Sequence, residues 1–245
     1  MNKMLICGAT SAIAAETARR FASCGAQFFL VDRSPQKLTN IASDLTAMGA
    51  AQVDTLILDL AELHRHQELI QEAVSRMGGI DIALIAHGTN SNQRACESTV
   101  AETLKELTVN FTSTISLLTL LANYFEKRRD GCIAVITSVA GDRGRKKHYV
   151  YGAAKGGVSV FLQGLRNRLA DAGVSVIDLR PGFVDTPMTA SVKKNFLFAT
   201  PSRAGSAIHR AIQRRKDVAY VPWWWRPIMG VVTSIPEFVF KRLNI

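Results

Sequence analysis

Short apolar runs alternate with longer amphipathic stretches along the 245-residue chain, and this alternation restricts the fold more than any other feature. The apolar runs lack the every-second-residue polar pattern of half-exposed strands, which indicates strands buried on both faces. The stretches between them have the apolar spacing of helices that cover such a sheet. We therefore predict a doubly wound α/β (Rossmann) fold with helices on both faces of one parallel sheet.

The predicted strands and helices follow one another without a linker or an internal repeat. The strands are predicted at Met4–Cys7, Gln27–Val31, Gln52–Leu58, Ile80–Ala86, Cys132–Thr137 and Val174–Leu179. The helices are predicted at Ile13–Ser23, Lys37–Met48, Leu63–Met77, Thr99–Arg128, Tyr151–Ala172 and Arg203–Arg215. We expect one domain over residues 1–217, followed by a Trp-rich amphipathic extension over residues 218–245.

Composition and charge exclude several classes of protein. The four cysteines are irregularly spaced, which predicts neither a metal site nor a disulfide framework. No apolar run approaches the roughly 20 residues that span a bilayer, and the N-terminus enters a strand without room for a signal peptide. We therefore expect a cytoplasmic protein, with a location on the inner surface of the membrane as an alternative.

The formal charge of +10 is concentrated towards the C-terminus. Residues 193–245 contain ten basic and two acidic side chains, and they carry +8 of that charge. This asymmetry predicts an anionic partner, either a membrane surface or a phosphorylated substrate. We do not expect nucleic acid, because the sequence contains no recognised nucleic-acid-binding module.

A turn rich in small residues joins the first predicted strand to the first helix. It comprises Gly8, Thr10, Ser11, Ala12 and Ile13. Small side chains would let backbone N–H groups and the helix N-terminus bind a pyrophosphate. Taken by itself, such a turn is more often only a tight connection.

Acidic residues follow the second and third predicted strands. Asp32 could accept hydrogen bonds from an adenosine ribose and would repel a 2′-phosphate, whereas Arg33 could bind that phosphate or be solvated. The pattern favours NAD(H) and leaves NADP(H) open. Asp59 could accept a hydrogen bond from the adenine amino group or cap the helix that follows it.

Tyr151 and Lys155 are four residues apart and therefore share one face of a predicted helix. A neighbouring ammonium lowers the pKa of a tyrosine from its free value of about 10. A tyrosine tuned in this way can exchange a proton with a carbonyl or an alcohol. Ser138 ends a strand upstream and Asn110 lies within a long helix, where they could also be a strand cap and a packed polar residue.

With these residues in this order, the sequence resembles the short-chain dehydrogenases/reductases over nearly its whole length. The matching positions are the turn at Gly8, then Asp32, Asp59, Leu60, Asn110, Ser138, Tyr151, Lys155, Pro181, Gly182 and Thr186. The resemblance implies an NAD(P)-dependent oxidoreductase that converts a ketone to a secondary alcohol or the reverse. It also implies a homodimer or homotetramer.

The resemblance implies a role for each of these residues. Tyr151 would be the acid/base, and Lys155 would tune it and hold the nicotinamide ribose. Ser138 would bind the reacting oxygen, and Asn110 would position a water of the proton relay. The implied cofactor-binding residues are Gly8, Thr10, Ser11, Ala12, Ile13, Asp32, Arg33, Asp59, Leu60, Gly88, Tyr151, Lys155, Pro181, Gly182, Val184 and Thr186.

Departures from the family pattern concern the cofactor more than the chemistry. Cys7, Ala12 and Ala14 stand where the family has a threonine and two glycines. The strand that usually ends Asn-Asn-Ala-Gly ends here with His87 and Gly88. A non-catalytic cofactor-binding or membrane-scaffold protein is therefore an alternative function.

Two basic features bear on the substrate. The stretch from Asp142 to His148 lies between Ser138 and Tyr151 and must pass near the mouth of the site. We predict that Arg143, Arg145 and His148 contact an anionic substrate, although a solvated loop has the same composition. Lys193 and Lys194 fall in the loop that forms the substrate lid of the family.

The C-terminal stretch carries Trp223 to Trp225 among basic and apolar residues. Such a segment is typical of a membrane interface, and packing on the domain or on a partner subunit explains it equally well. Within the family, residues 140–147, 150–152 and 225–243 resemble reductases of polyprenyl-phosphoryl 2-keto-pentoses, of the decaprenylphosphoryl-2-keto-ribose type. This resemblance implies a lipid-linked sugar substrate, and a soluble ketoreductase of acyl or other small ketones is the alternative.

Overall fold

A computed structural model describes residues 2–190 and 192–243 of the chain. Within these residues, seven parallel strands form one sheet in the order β3-β2-β1-β4-β5-β6-β7. The strands are β1 Lys3–Cys7, β2 Gln27–Asp32, β3 Gln52–Ile57, β4 Ile82–Ile85, β5 Cys132–Ile136, β6 Ser175–Pro181 and β7 Val218–Val221. The prediction of a doubly wound parallel sheet is confirmed.

Helices cover both faces of this sheet. They are α1 Ala12–Ala22, α2 Pro35–Ala47, α3 His66–Met77, α4 Gln93–Ser98, α5 Val100–Leu107, α6 Ser113–Arg128, α7 Tyr149–Leu169, α8 Pro201–Gln213, α9 Trp225–Ser234 and α10 Glu237–Phe240. The apolar sides of α3, α6 and α7 pack on one face, and those of α1, α2 and α8 pack on the other.

The central strand β1 explains why the sheet is buried on both sides. Leu5 and Cys7 point into one hydrophobic core, whereas Met4 and Ile6 point into the other, and all four are fully buried. Burying a side chain of this size contributes about 1.5–3 kcal/mol. A continuous apolar run therefore suits this position, where an alternating polar pattern would bury unpaired polar groups.

The long helix predicted over 99–128 is interrupted in the structure. Thr99 is extended, and its hydroxyl accepts a hydrogen bond from the N–H of Glu102 at 3.2 Å, which caps α5. A π-helical turn, Thr108–Thr112, then separates α5 from α6. Such turns cluster at functional sites, and this one contains Asn110.

The predicted extension begins inside the sheet. Residues 218–221 pair with β6 as strand β7, so the boundary drawn after residue 217 divides the sheet. The last strand has only four residues, which hid it from the apolar pattern. Trp225, Met229 and Phe240 of the following helices are buried, whereas Trp223 remains 73% exposed. Among the described residues, no helix has both the length and the apolar character to cross a membrane.

Candidate active site

A cleft of about 900 Å³ opens along the carboxyl edge of the sheet, where the loops after β1 to β6 meet. Doubly wound sheets bind ligands at this edge, because the strand order reverses beside the first strand and leaves a crevice there. The volume is within the range of pockets that hold a cofactor or a molecule of similar size.

Every cofactor-binding residue predicted from the sequence lines this cleft, as do Ser138, Arg145 and His148. Arg143 and Asn110 do not line it. The sequence reasoning missed several lining residues, among them Lys37, Thr89, Phe183, Met188 and Val192. Thr89 directly follows Gly88 at a strand end and could have been found by that position, whereas the others depend on the course of helices and loops.

The turn between β1 and α1 allows close approach to a ligand. Gly8 has φ +84°, and a Cβ there would lie 2.5 Å from the backbone nitrogen of His87, so only glycine fits. The Ser11 side chain does not cap α1, and the first helical residues line the cleft. The unpaired N–H groups of this helix end favour an anion, so the turn fits the pyrophosphate of a dinucleotide.

Asp32 and Asp59 lie at the ends of neighbouring strands and border the same part of the cleft. The Asp32 carboxylate accepts hydrogen bonds from the N–H and the hydroxyl of Thr10 at 3.1 and 2.8 Å, which fixes the turn. Asp59 accepts from the N–H of Ala61 at 2.9 Å, as a cap does, and also lines the cleft. Its position is thus compatible with both roles considered for it.

Tyr151 lies in the first turn of α7, beside Ser138 at the end of β5. Burial raises the pKa of Tyr151 to about 12, and the Ser138 hydroxyl acts in the opposite direction. The prediction that Lys155 lowers this pKa is therefore wrong for the chain without a bound cofactor. Burial disfavours the charged phenolate by more than the hydrogen bond of Ser138 favours it. The phenol is protonated at neutral pH.

Lys155 lies one helical turn beyond Tyr151, with its ammonium 5.8 Å from the centre of the tyrosine ring. The side chain is buried, and it donates a hydrogen bond to the carbonyl of Ile136 at 3.3 Å. Burial lowers the pKa of Lys155 to about 8, and the charge of Asp178 acts in the opposite direction. The charged form therefore predominates at pH 7 and is lost in the mildly alkaline range.

Asn110 holds the segment that follows β4. Its buried side-chain oxygen accepts from the N–H of Thr89 at 3.0 Å, and its nitrogen donates to the Thr89 hydroxyl at 3.0 Å and the Glu106 carboxylate at 3.1 Å. A Cβ at Gly88 would lie 2.7 Å from the same side-chain oxygen. The side chain thus stands behind the cleft wall, and its action on a relay water stays a prediction.

His87 lines the cleft and has one buried ring nitrogen without a hydrogen-bond partner in the described part of the chain. Ser113 donates its single hydroxyl proton to the carbonyl of Leu60 at 2.5 Å, so Nε2 of His87 must carry the proton that it shares with Ser113 at 2.9 Å. The buried Nδ1 then has a free lone pair, and it meets no donor within the described ranges. Burial and Lys155 lower the pKa of His87 to about 3. The ring is therefore neutral at pH 7.

The basic loop between β5 and α7 directs its two arginines to different places. Arg145 is half-buried, lines the cleft and forms no ion pair in the part of the chain that is described. Arg143 instead donates to the carbonyls of Val232 and Ile235 at 2.8 and 2.5 Å and to the carboxylate of Glu237 at 2.9 Å. The prediction that Arg143 contacts the substrate is wrong, because the C-terminal segment engages its donors.

The loop after β6 supplies an apolar wall. Phe183, Met188 and Val192 line the cleft, and Met188 and Val192 remain 43% and 37% exposed. Lys193 and Lys194, predicted to lie at this mouth, do not line the cleft, and Lys194 pairs with Asp185 at 2.7 Å. The cleft therefore combines basic residues from one loop with apolar residues from another.

Comparison with known proteins agrees with this geometry. Residues 2–196 match the family model described as short chain dehydrogenase. The chain is 35% identical over 240 residues to an uncharacterized oxidoreductase of Mycobacterium tuberculosis, covering 98% of this chain and 96% of the relative. It is 32% identical over 245 residues to an uncharacterized oxidoreductase of Streptomyces coelicolor, covering 100% and 96%.

A more distant relative covers less of both chains. An uncharacterized oxidoreductase of Staphylococcus epidermidis is 29% identical over 185 residues, which is 76% of this chain and 79% of the relative. The family match spans the turn at Gly8, the serine and the tyrosine–lysine pair in one continuous region. The chain therefore belongs to the short-chain dehydrogenase family and is an NAD(P)-dependent oxidoreductase.

Proposed function

We propose that this oxidoreductase reduces the ketone of an anionic substrate that also has an apolar part, with lipid-linked 2-keto-pentose phosphates as the substrate class. The observation that carries the proposal is Arg145, a half-buried guanidinium that lines the cleft without an ion-pair partner in the described chain. Burial lowers the pKa of Arg145 and the charge of Asp142 acts in the opposite direction, so the described chain compensates the guanidinium only in part. An anion in the cleft would provide that compensation.

The residues of the chain supply the proton and the orientation. A bound nicotinamide supplies the hydride. Tyr151 donates its phenolic proton to the carbonyl oxygen of the substrate, and Ser138 binds the same oxygen. Lys155 holds the nicotinamide ribose through its ammonium. Burial raises the pKa of Tyr151 to about 12, so the tyrosine carries at neutral pH the proton that reduction of the ketone requires.

Charge on the basic loop supports the anionic part of the substrate. Lys147 and His148 line the cleft beside Arg145. Burial and the neighbouring cations lower the pKa of His148, so its ring is neutral at pH 7 and offers a hydrogen bond rather than a charge. Arg145 and Lys147 would therefore carry the charge complementarity, and Arg145 can bind a phosphate through two parallel hydrogen bonds.

The apolar wall supports the lipid part. Met188 and Val192 are exposed in the protein alone, and a prenyl chain that leaves the cleft along them would bury their surface. A small free ketone would leave this wall in contact with water. We favour a lipid-linked substrate over a small soluble one for this reason.

Asp32 supports NAD(H) as the preferred cofactor. Its carboxylate lines the cleft at the end of β2, where a 2′-phosphate would meet a negative charge. Arg33 and Lys37 also line the cleft and would bind that phosphate in NADP(H), so NADP(H) is the alternative cofactor.

Replacement of Tyr151 by phenylalanine tests the chemistry. We expect Tyr151→Phe to lower kcat by about 10³-fold while NADH binding is kept, because a general acid contributes 10² to 10⁴. Tyr149→Phe is the matched control, since Tyr149 begins the same helix, is 46% exposed and does not line the cleft. Unchanged turnover in Tyr151→Phe would remove the catalytic role.

Titration of Lys155 predicts how cofactor affinity depends on pH. The folded pKa is lowered from 10.5 to about 8, so the ammonium is present below pH 8 and is lost as the pH rises through this value. If only the ammonium binds the ribose, the Kd for NADH rises roughly tenfold per pH unit above 8. Fluorescence titration with NADH at a series of pH values from 7 to 9.5 measures this Kd. Lys155→Arg is the control: an arginine stays charged over this range, so its Kd for NADH should not depend on pH. A wild-type Kd that does not change with pH would contradict the binding of the ribose by the Lys155 ammonium.

Replacement of Arg145 tests the substrate class. We expect Arg145→Ala to raise KM for a phosphorylated 2-keto-pentose about 10- to 100-fold, because a hydrogen bond to a charged group contributes 1.5–3 kcal/mol. Arg145→Lys should recover part of the loss. Lys146→Ala is the control, since Lys146 is exposed in the same loop and does not line the cleft.

The same assay distinguishes the alternatives. Substrates with and without a prenyl chain, each tested with NADH and NADPH, separate the lipid part from the anionic part. Equal KM values for Arg145→Ala and wild type would overturn the anionic substrate. Faster turnover of uncharged small ketones would favour a soluble ketoreductase.

Contact of the tail with a membrane is a separate proposal. Trp223, in the turn before α9, and Val231, within α9, are 73% and 69% exposed, and Arg226 lies between them in the sequence. We expect the full chain to cosediment with phosphatidylglycerol vesicles more than with phosphatidylcholine vesicles, and Trp223→Ser to weaken binding severalfold. Val100→Ser is the control, since Val100 is 74% exposed outside the tail. Equal loss in both variants would refute the contact.

A further inference from the structure

The C-terminal segment, residues 222–243, packs against the loop after β6 through the first turn of α9. Trp225 is 4% exposed, and a Cβ added to Gly182 would lie 2.0 Å from its indole ring. The ring also makes an edge-on contact with Phe183, with 5.3 Å between ring centres. Gly182 and Phe183 line the cleft, so the start of α9 forms the layer directly behind the cleft wall.

The other end of the same segment holds the basic loop between β5 and α7 through Arg143. The guanidinium binds the carbonyls of Val232, Thr233 and Ile235, which end α9, and the carboxylate of Glu237. It also stacks 3.8 Å from the ring centre of Phe240. The arginine side chain is only 13% exposed, although the loop that carries it is at the protein surface.

We propose that Arg143 is a positioning residue, which clasps the C-terminal segment and thereby fixes the loop that presents Arg145 and His148 to the substrate. Before Arg143, Asp142 is held by Arg180 and Tyr220. After it the loop has fewer supports: a Cβ added at Gly144 would meet nothing within 4 Å, and Lys146 and Lys147 are exposed. Arg143 is therefore the side chain that ties the middle of this loop to a buried structure.

The chemistry of the contact suits a clasp. The last carbonyls of a helix have no intrahelical partners and carry the negative end of the helix dipole, so a guanidinium satisfies them both as a donor and as a charge. The planar group can donate to several acceptors and stack on Phe240 at the same time. A lysine would keep the charge but would lose the stacking and most of the divergent hydrogen bonds.

The test compares Arg143→Met with Arg166→Met. Arg166 is 21% exposed and also binds backbone carbonyls, of Val176 at 2.9 Å and Asp217 at 2.7 Å, but it does not line the cleft or touch the basic loop. We expect Arg143→Met to raise KM for a phosphorylated ketone about tenfold, with kcat changed less than threefold and the Kd for NADH less than twofold. Arg143→Lys should recover only part of this effect, and Arg166→Met should lower the unfolding midpoint without changing KM.

Limited trypsin digestion supplies a readout that needs no substrate. Mass spectrometry should find cleavage after Lys146 and Lys147 at least fivefold faster in Arg143→Met than in wild type or Arg166→Met. The KM arm rests on the proposed function, but the digestion does not, so failure of the anionic substrate leaves the clasp testable. If Arg143→Met does not fold, Phe240→Leu removes the stacking alone and should accelerate the same cleavage.

Two outcomes would overturn the clasp. One is a cleavage rate at Lys146 and Lys147 that is the same in Arg143→Met and wild type. The other is equal acceleration in Arg143→Met and Arg166→Met, which would mean that only overall stability has changed.

Discussion

A buried ammonium group is the constraint on which the site depends. Lys155 is 4% exposed, and an uncompensated charge at such a position costs several kcal/mol. Asp178, which is 1% exposed, compensates it electrostatically. Arg180 binds Asp178 at 2.7 Å and Asp142 at 2.8 Å. Asp178 thus opposes the loss of charge that burial of Lys155 favours, and the Arg180 pairs hold Asp178 and Asp142 in place.

The same charges connect the cleft to the C-terminal strand and helices. Tyr220 in β7 donates a hydrogen bond to Asp142 at 2.9 Å, and the next residue, Arg143, binds the end of α9. The loop between β5 and α7 is therefore held from the sheet side by charge and from the outer side by the tail. Removal of β7 and the residues after it would leave Arg180 of β6 in place but would take away the Tyr220 hydrogen bond and the tail contacts, which is why the tail belongs to the same unit as the catalytic residues.

Features that repeat along the chain could be predicted from the sequence, and features that depend on one contact could not. The apolar runs identified six strands, and the carboxyl-edge rule brought Gly8, Asp32, Ser138 and Tyr151 to one cleft. Strand β7 was missed because four residues at a sheet edge have no distinctive pattern. The π-helical turn was missed for a related reason: its sequence continues the apolar spacing of the helices on either side.

Arg143 and Arg145 show the limit of composition most clearly. They lie two residues apart in one loop, and the sequence gives both the same prediction, yet one binds helix carbonyls and the other lines the cleft. The pKa of Tyr151 was likewise not predictable from the sequence, because its value of about 12 results from burial in the fold and not from Lys155 four residues away. Burial thus keeps this phenol protonated at neutral pH, ready to donate its proton to a carbonyl oxygen. The Lys155 ammonium, 5.8 Å from the ring centre, is a positive charge near the phenolate that proton donation leaves behind. By microscopic reversibility the same group accepts the proton when an alcohol is oxidised, so the direction of the reaction is set by the substrate and the cofactor and not by this pKa.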